Sequence, residues 1–227
     1  MKNKELIIDG VNMTTLAGRV GTPLMVYSCT KMEKQLKDFK RCLISSKFDT
    51  QVLYASKAFS CAAMAELVNS AGCGLDVVSG GEVYTAKSAG FPMERVFFHG
   101  NNKTPTEIHE ALSCGVGTFV VDNTDELENL ITISESTGRG TNVVIRINPH
   151  ISAHTHKYDV TADYDSKFGI SIDDPAAVCG MINQINASKR LNFMGFHAHI
   201  GSQIFDKNAF ISEIDVMMTF IRDMALA

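Results

Sequence analysis

The chain has 227 residues, of which 45% are hydrophobic and 20% are charged, and its formal net charge is -4. This length and composition are typical of a globular protein with a sizeable core, built as one large domain or two small ones. A mildly negative chain without a basic block gives no reason to expect nucleic acid or an anionic membrane as a partner.

Short apolar runs recur along the chain and predict buried, parallel β-strands, because strands covered on both faces do not need alternating polar residues. In chain order these runs are 23–27, 51–56, 74–78, 95–99, 118–121, 142–148 and 192–200. The intervening segments predict helices over 30–45, 60–71, 81–89, 105–114, 125–136 and 175–186, with a last helix over 209–226. This alternation is typical of an α/β fold.

Several helix ends carry capping residues. Thr104 precedes Pro105, which combines an N-cap hydroxyl with a proline at the first helical position. Gly115 and Gly138 follow two of the predicted helices, where a glycine can adopt the left-handed conformation that ends a helix. The caps therefore support the boundaries drawn from the apolar runs.

Six strand–helix units can be counted from residue 51 onward, whereas eight close a TIM-type barrel. We predict an incomplete (β/α)8 barrel over residues 23–227, preceded by an N-terminal segment, 1–22, that leads into it. Because the last helix stops at Ala227 without a cap, we expect the chain to be the N-terminal part of a longer protein. An open doubly wound sheet is the alternative, but no Gly-x-Gly-x-x-Gly follows any strand, which disfavours dinucleotide binding.

The six cysteines are scattered, without a Cys-x-x-Cys pair, and are typical of reduced thiols. The N-terminus lacks the apolar run of a secretory signal, and no stretch of the sequence has the length of a membrane span. We therefore expect a cytoplasmic protein.

A single lysine, Lys57, closes the apolar strand that begins at Gln51. A lysine taken alone most often marks the point at which a strand reaches water. At the carboxyl end of a barrel strand, however, its amine can form a Schiff base with a carbonyl compound. A second motif decides between these interpretations.

That motif runs from Gly195 to Gln203. Its two histidines, His197 and His199, are two residues apart on a predicted strand and should face the same way. The turn at Gly201-Ser202 is suited to a phosphate. A metal pair is disfavoured because no carboxylate stands at a matching spacing. Together with Lys57, the motif indicates pyridoxal 5'-phosphate as cofactor.

Eight segments, in collinear order, resemble the alanine racemase-like, fold-type III pyridoxal-phosphate enzymes, and within them the branch that decarboxylates meso-2,6-diaminopimelate to L-lysine. They span nearly the whole chain: 54–59, 74–82, 98–104, 121–123, 146–149, 154–156, 167–170 and 197–203. The resemblance implies a carboxy-lyase of lysine biosynthesis that acts on a small amino acid as a homodimer. It also implies a glycine-rich phosphate loop, a glutamate that pairs with the pyridine nitrogen and a C-terminal β-domain, all of which we expect beyond Ala227.

The resemblance also assigns site residues. Lys57 is expected to bind the cofactor as an imine and to return a proton to the product, His199 to stack on the pyridine ring, and Ser202 to hold the phosphate. Further polar residues expected to line the cofactor site are Asp76, Glu82 and Arg146. Asp76 is alternatively a turn residue at a strand end, and Glu82 a carboxylate stabilised by the first turn of its helix.

One predicted connection, 149–170, is long enough to be a lid or a binding loop. It contains His154 and His156, which resemble the diaminopimelate branch and which either contact the substrate or only shape the loop.

Three alternatives to the function remain at this point. One is a related enzyme of the same fold type, either a decarboxylase of ornithine, arginine or carboxynorspermidine or a racemase. Another is a non-catalytic barrel that binds pyridoxal phosphate, and the last is an open-sheet protein without a cofactor.

Overall fold

The computed structural model describes residues 5–151 and 167–226, and its centre is a parallel β-sheet flanked by helices. A short N-terminal hairpin, β1 (Ile7–Ile8) and β2 (Val11–Asn12), leads into helix α1 (Met13–Val20). The strands of the central sheet are β3 (Leu53–Ala55), β4 (Gly74–Val77), β5 (Val96–Phe98), β6 (Thr118–Val121), β7 (Thr141–Asn148), β8 (Ile170–Ser171) and β9 (Leu191–His197). The remaining helices are α2 (Cys29–Cys42), α3 (Ala62–Ser70), α4 (Gly80–Ser88), α5 (Pro105–Cys114), α6 (Thr124–Thr137), α7 (Pro175–Ala187) and α8 (Lys207–Leu226).

The strand order in the sheet is β3-β4-β5-β6-β7, and two further strands, β8 and β9, pair with different parts of β7. The first part of β7 pairs with β9, and its last residues pair with the short β8. All of these pairings are parallel, so every carboxyl end lies at the same edge of the sheet. The register sets Asp76 beside Ala55 and Arg146 beside His197, which collects polar residues at that edge.

The core lies on both faces of the middle strands. Val77, Phe98, Phe119 and Ile145, one from each of β4 to β7, are fully buried, and all four residues of β6 are buried. The helices cover the sheet with buried side chains such as Val68, Ile108, Leu127, Leu130, Val178 and Ile185. Burial on two faces explains why these strands read as continuous apolar runs in the sequence.

The predicted caps are confirmed. Thr104 Oγ1 accepts a hydrogen bond from Glu107 N at 3.3 Å, and Glu107 Oε2 accepts one from Thr104 N at 3.0 Å, so the two residues form a capping box. Gly115 and Gly138 end α5 and α6 with φ of 83° and 68°. Both helix ends therefore follow from local sequence.

The strand predicted over 23–27 is wrong. Its residues have no strand assignment, and Met25 is 79% exposed. The reason is the lack of a partner, since β3 pairs only with β4 among the described residues. An apolar run becomes a strand only where another strand satisfies its backbone groups.

The hairpin of β1 and β2 was not predicted, although the sequence contains a signal for it. Asp9-Gly10 is a dipeptide typical of tight hairpin turns, and both residues have positive φ, 48° and 78°. Asn12 then caps α1 by accepting a hydrogen bond from Thr15 N at 3.0 Å. The domain division at residues 22 and 23 stays a prediction.

The α/β class and the count of six principal strand–helix units are confirmed. The bounds of β6 are as predicted, and the other five strands are shifted at one or both ends, most of all the first and the last. The strand predicted over 51–56 ends at Ala55, and a single 3-10 turn, Ser56–Ala58, follows it. The strand predicted over 192–200 ends at His197. Among the helices that the structure describes, none is both long and apolar enough to cross a bilayer.

Candidate active site

A cleft of about 460 Å³ opens at the carboxyl ends of the strands. This volume lies within the range of about 300–1,000 Å³ that is usual for small-ligand sites. The residues that line it lie at or just beyond the ends of five strands, apart from Phe168, which precedes β8: Ala55, Lys57, Asp76, Val78, His99, Gly100, Asn101, Arg146, Phe168, His197 and His199. In parallel α/β folds this is the edge at which ligands bind.

Lys57 reaches the cleft from its rim. The 3-10 turn Ser56–Ala58 follows β3 directly and places Lys57 one residue beyond the buried Ser56. Lys57 itself is exposed, so its amine is accessible both to solvent and to a ligand in the cleft.

Asp76 lies on β4 and extends into the cleft. Its Oδ1 is buried, makes no hydrogen bond within the described part of the chain, and lies 3.6 Å from His99 Nε2. Burial raises the pKa of Asp76 to about 6, and the charge of Glu82 adds to the rise, whereas Lys57 and Arg146 oppose it. The residue therefore has an unsatisfied acceptor and a proton affinity close to the neutral range.

Three imidazoles form one wall of the cleft. The rings of His99 and His197 meet edge to face, with centroids 4.7 Å apart and an interplanar angle of 73°. Burial, reinforced by neighbouring positive charges, lowers the pKa of His99 to about 2, of His197 to about 3 and of His199 to about 4. All three are therefore neutral at pH 7 and present uncharged, flat rings.

Arg146 provides a cation at the base of the cleft. Its Nη1 lies 3.6 Å from Asp122 Oδ1, and its guanidinium carbon lies 4.8 Å from the centroid of the Phe168 ring. An arginine over an aromatic face is stabilised by attraction to the ring electrons. Asp122 and Phe168 thus hold the guanidinium from two sides.

A buried ion pair, Lys103 and Glu126, lies close to the cleft but does not line it. Lys103 Nζ lies 2.7 Å from Glu126 Oε1, and the two side chains are 1% and 5% exposed. Burial lowers the pKa of Lys103 and raises that of Glu126, while the attraction between the two charges opposes both changes. Neither residue was singled out from the sequence, since they are 23 positions apart.

The structure brings four of the six predicted site residues into the cleft: Lys57, Asp76, Arg146 and His199. Glu82 does not line it, because its carboxylate accepts a hydrogen bond from Val78 N at 2.7 Å at the start of α4. Ser202 is exposed, beyond the end of β9. The cofactor roles of all six stay predictions, and His154 and His156 lie outside the described residues.

His99, Asn101 and Phe168 line the cleft, although no role was predicted for them. His99 had a detectable signal, because it follows a predicted strand at the same edge as Lys57 and Asp76. Phe168 stands in the predicted binding loop 149–170 and in the segment 167–170 that carries the family resemblance, but only the structure shows its contact with Arg146.

The chemistry of the cleft fits pyridoxal 5'-phosphate. A primary amine, needed for covalent attachment, stands at the rim, and neutral imidazoles offer faces for a heteroaromatic ring. The buried Oδ1 of Asp76 and Nδ1 of His197 make no hydrogen bonds within the described part of the chain, so a bound ligand can satisfy them. No grouping of three or more histidine, cysteine or acidic side chains in this part of the chain is suited to a metal ion.

Residues 29–226 match the family described as pyridoxal-dependent decarboxylase, pyridoxal binding domain. The chain is 45% identical over 210 residues to the diaminopimelate decarboxylase of Halalkalibacterium halodurans and 46% identical over 206 residues to that of Bacillus subtilis. These matches cover 92% and 91% of this chain and 48% and 47% of the two relatives. The chain thus spans about half the length of the curated relatives it matches.

Solved structures agree with these relatives. A diaminopimelate decarboxylase from M. jannaschii in complex with L-lysine is 34% identical and superposes with a TM-score of 0.86, covering 99% of this chain and 52% of that one. A diaminopimelate decarboxylase from Helicobacter pylori, also complexed with L-lysine, is 29% identical with a TM-score of 0.81, covering 93% of this chain and 53% of its own. The predicted partial (β/α)8 barrel is confirmed by the parallel sheet together with these superpositions.

Proposed function

The chain belongs to the pyridoxal-dependent decarboxylases, and from this premise we propose that it is the pyridoxal-binding part of a diaminopimelate decarboxylase. The reaction would remove carbon dioxide from meso-2,6-diaminopimelate and leave L-lysine. One observation carries the proposal: the amine of Lys57 opens onto the same cleft as Asp76, Arg146 and three neutral histidines. The identity of 45–46% to two diaminopimelate decarboxylases supports the choice of substrate.

Lys57 is the residue that would hold the cofactor covalently, and His199 would lie against its ring. Bound pyridoxal phosphate supplies an aldehyde that reacts with an amine and a ring that accepts the electron pair left when a carboxylate departs. Because the pKa of His199 is lowered to about 4, it presents an uncharged face at pH 7. Ser202 and the preceding Gly201 are the residues we assign to the phosphate.

Asp76 and Lys57 would handle protons. With a pKa of about 6, Asp76 is mostly a carboxylate at pH 7 and yet can take up a proton within the working range of an enzyme. Lys57 carries transferable protons on Nζ at the rim of the cleft, where a product carbon would be protonated. Arg146, held by Asp122 and Phe168, would orient an anionic group of the ligand.

We further propose an amino-acid substrate, a homodimer and a cytoplasmic location. The substrate class is supported by the two related structures that contain L-lysine. The homodimer follows from the family resemblance, and the cytoplasmic location from the scattered cysteines, which are typical of reduced thiols.

The cofactor assignment is tested by adding pyridoxal phosphate to the purified protein and recording its absorbance before and after borohydride. Peptide mapping should then find the reduced adduct on Lys57. The variant Lys57→Ala should show no adduct, whereas Lys34→Ala, which removes an exposed lysine of α2 outside the cleft, should leave it intact. An adduct elsewhere, or none on a folded protein, would contradict the assignment.

The substrate is tested by carbon dioxide release with the full product of the gene. We expect release from meso-2,6-diaminopimelate and none from ornithine, arginine or carboxynorspermidine. Release from one of the latter would identify a related decarboxylase instead. Cofactor binding without release from any of them would indicate a racemase of the same fold type or a non-catalytic pyridoxal-binding protein.

A further inference from the structure

The buried pair of Lys103 and Glu126 does not line the cleft, but hydrogen bonds connect it to residues that do. Lys103 Nζ donates to Gly100 O at 2.7 Å, to Val120 O at 2.9 Å and to Glu126 Oε1 at 2.7 Å. An ammonium has three protons, so every donor of Lys103 is used. One of its acceptors, Gly100, belongs to the wall of the cleft.

Glu126 connects the pair to Arg146 through Asp122. Its second oxygen, Oε2, accepts a hydrogen bond from Asp122 N at 3.1 Å. Asp122 follows β6 and directs its carboxylate at Arg146, with 3.6 Å between Oδ1 and Nη1. The position of the Arg146 guanidinium therefore depends on where Glu126 holds the backbone of Asp122.

Stability alone is a poor explanation for such a pair. Two charges taken out of water lose hydration that their attraction only partly replaces, and buried ion pairs are often no more stabilising than apolar side chains of similar size. Here, however, both oxygens of Glu126 and all three donors of Lys103 are engaged, and their partners lead to two parts of the cleft. A fully satisfied buried network rigidifies its surroundings.

We propose that Lys103 and Glu126 are positioning residues. They fix the backbone at Gly100 and the Asp122–Arg146 arm, which consists of the Asp122 carboxylate and the Arg146 guanidinium that faces it. In this way they set the affinity of the cleft for pyridoxal phosphate without contacting the cofactor. This inference rests on the proposed function, because it assumes that the cleft binds this cofactor. It concerns a contact behind the cleft that the resemblance does not assign.

The test is a double-mutant cycle between Glu126→Gln and Asp122→Asn, with the dissociation constant of pyridoxal phosphate as the readout. A glutamine has one acceptor oxygen and cannot serve both Lys103 Nζ and Asp122 N. Each single variant should weaken binding by about tenfold, and the double variant by little more than either alone, because both interrupt the same arm. Independent effects that multiply to about a hundredfold would overturn the proposal, as would unchanged affinity in Glu126→Gln.

Leu130→Ala is the matched control, since Leu130 lies one turn further along α6 and is fully buried. It should lower the unfolding temperature but leave cofactor affinity within about twofold. A tenfold loss of affinity in Leu130→Ala would show that any loosening of α6 has the same effect. That result would contradict a specific positioning role for Lys103 and Glu126.

Two further outcomes are separable. If Glu126→Gln does not fold, Asp122→Asn tests the same arm from its other end, and unchanged affinity there overturns the inference. If the unmodified protein does not bind pyridoxal phosphate, the proposed function fails. Binding by the unmodified protein with equal affinity in both single variants overturns only the positioning role.

Discussion

The two ends of the same parallel strands are built in opposite ways. At the amino ends, glycines let backbones approach closely: a Cβ atom on Gly117 would lie 2.0 Å from Glu94 O, and one on Gly140 would lie 2.7 Å from Arg190 O. At the carboxyl ends, Asp76 Oδ1 and His197 Nδ1 are buried without hydrogen bonds among the described residues. One end is closed by backbone packing, and the other retains unsatisfied polar atoms.

The difference shows where stability and chemistry are located. Close packing at the amino ends is sensitive to any added atom, because dense interiors cannot absorb volume. Unsatisfied groups at the carboxyl ends reduce stability but are available to a ligand. Perturbations of the two ends should therefore differ in their effect on stability, and four experiments test this, in order of their expected effect on the free energy of unfolding.

Acid should produce the largest effect, and it should act on the carboxyl ends. The pKa values of His99, His197 and His199 are lowered to about 2, 3 and 4, so the unfolded chain binds more protons below about pH 6.5. Their contribution to stability is complete above that pH and is lost as pH falls through the folded values. Asp76 opposes this, because its raised pKa of about 6 gives stability that is present below its unfolded value and lost as pH rises through 6.

Burial also raises the pKa of Asp122 at this end of the sheet, which opposes the imidazoles in the same way. Three imidazoles against the carboxyls of Asp76 and Asp122 leave a net loss on acidification from pH 7 to 4. We expect the free energy of unfolding to fall by on the order of 1–3 kcal/mol per pH unit within this range. Urea denaturation at several pH values measures it. His99→Gln should make the dependence shallower, and an equally steep dependence in that variant would contradict the assignment to His99.

Gly117→Ala should have the next largest effect, since the added methyl meets the backbone of Glu94. We expect a loss of about 3 kcal/mol, measured by urea denaturation. Gly180→Ala is the control, because nothing lies within 4 Å of its Cβ position in α7. That change should stabilise the protein by about 0.5–1 kcal/mol, since glycine weakens a helix interior. Equal losses in both variants would refute the close-packing explanation.

Thr104→Ala should have a smaller effect on the helix cap beside the cleft. The change removes the hydroxyl that accepts from Glu107 N, and the loss of an N-cap is worth about 1 kcal/mol. Ser136→Ala, which removes an exposed hydroxyl bonded to Ile133 O in α6, should stay within about 0.5 kcal/mol. Thermal unfolding of both variants compares them, and indistinguishable losses would argue against the cap.

Lys57→Met should change stability least, by no more than about 0.5 kcal/mol, because Lys57 is exposed. It should nevertheless raise the pKa of Asp76 above its value of about 6, since the charge of Lys57 lowers that pKa. Titration of the Asp76 carboxyl carbon by NMR measures the shift. An unchanged Asp76 pKa would mean that the two groups do not interact.

Local signals predicted much of the fold. The boundaries of β6 and α5 agree with the sequence to the residue, because an apolar run enclosed by turns and a Thr-Pro cap with a terminal glycine are short-range features. The segment 23–27 shows the limit of such signals. It has the composition of a strand, but it has no strand beside it.

The candidate site was predicted in part for the same reason. Lys57, Asp76, Arg146 and His199 end or follow strands, and parallel strands bring their carboxyl ends together. Glu82 also stands near a strand end, but its carboxylate accepts a hydrogen bond from Val78 N and does not line the cleft. Local position could not distinguish these two outcomes, because they depend on which way a side chain turns.

The sequence by itself determined the order of the six principal strand–helix units, the capped helix ends and the chemical types of the groups at the strand ends, since each depends on residues only a few positions apart. Only the tertiary structure decided which of these groups meet. The contact of Lys103 with Glu126, the approach of Phe168 to Arg146 and the pKa of Asp76 near 6 all depend on burial and on residues distant in the chain. Burial removes water from polar groups and strengthens their interactions, and no local pattern specifies it.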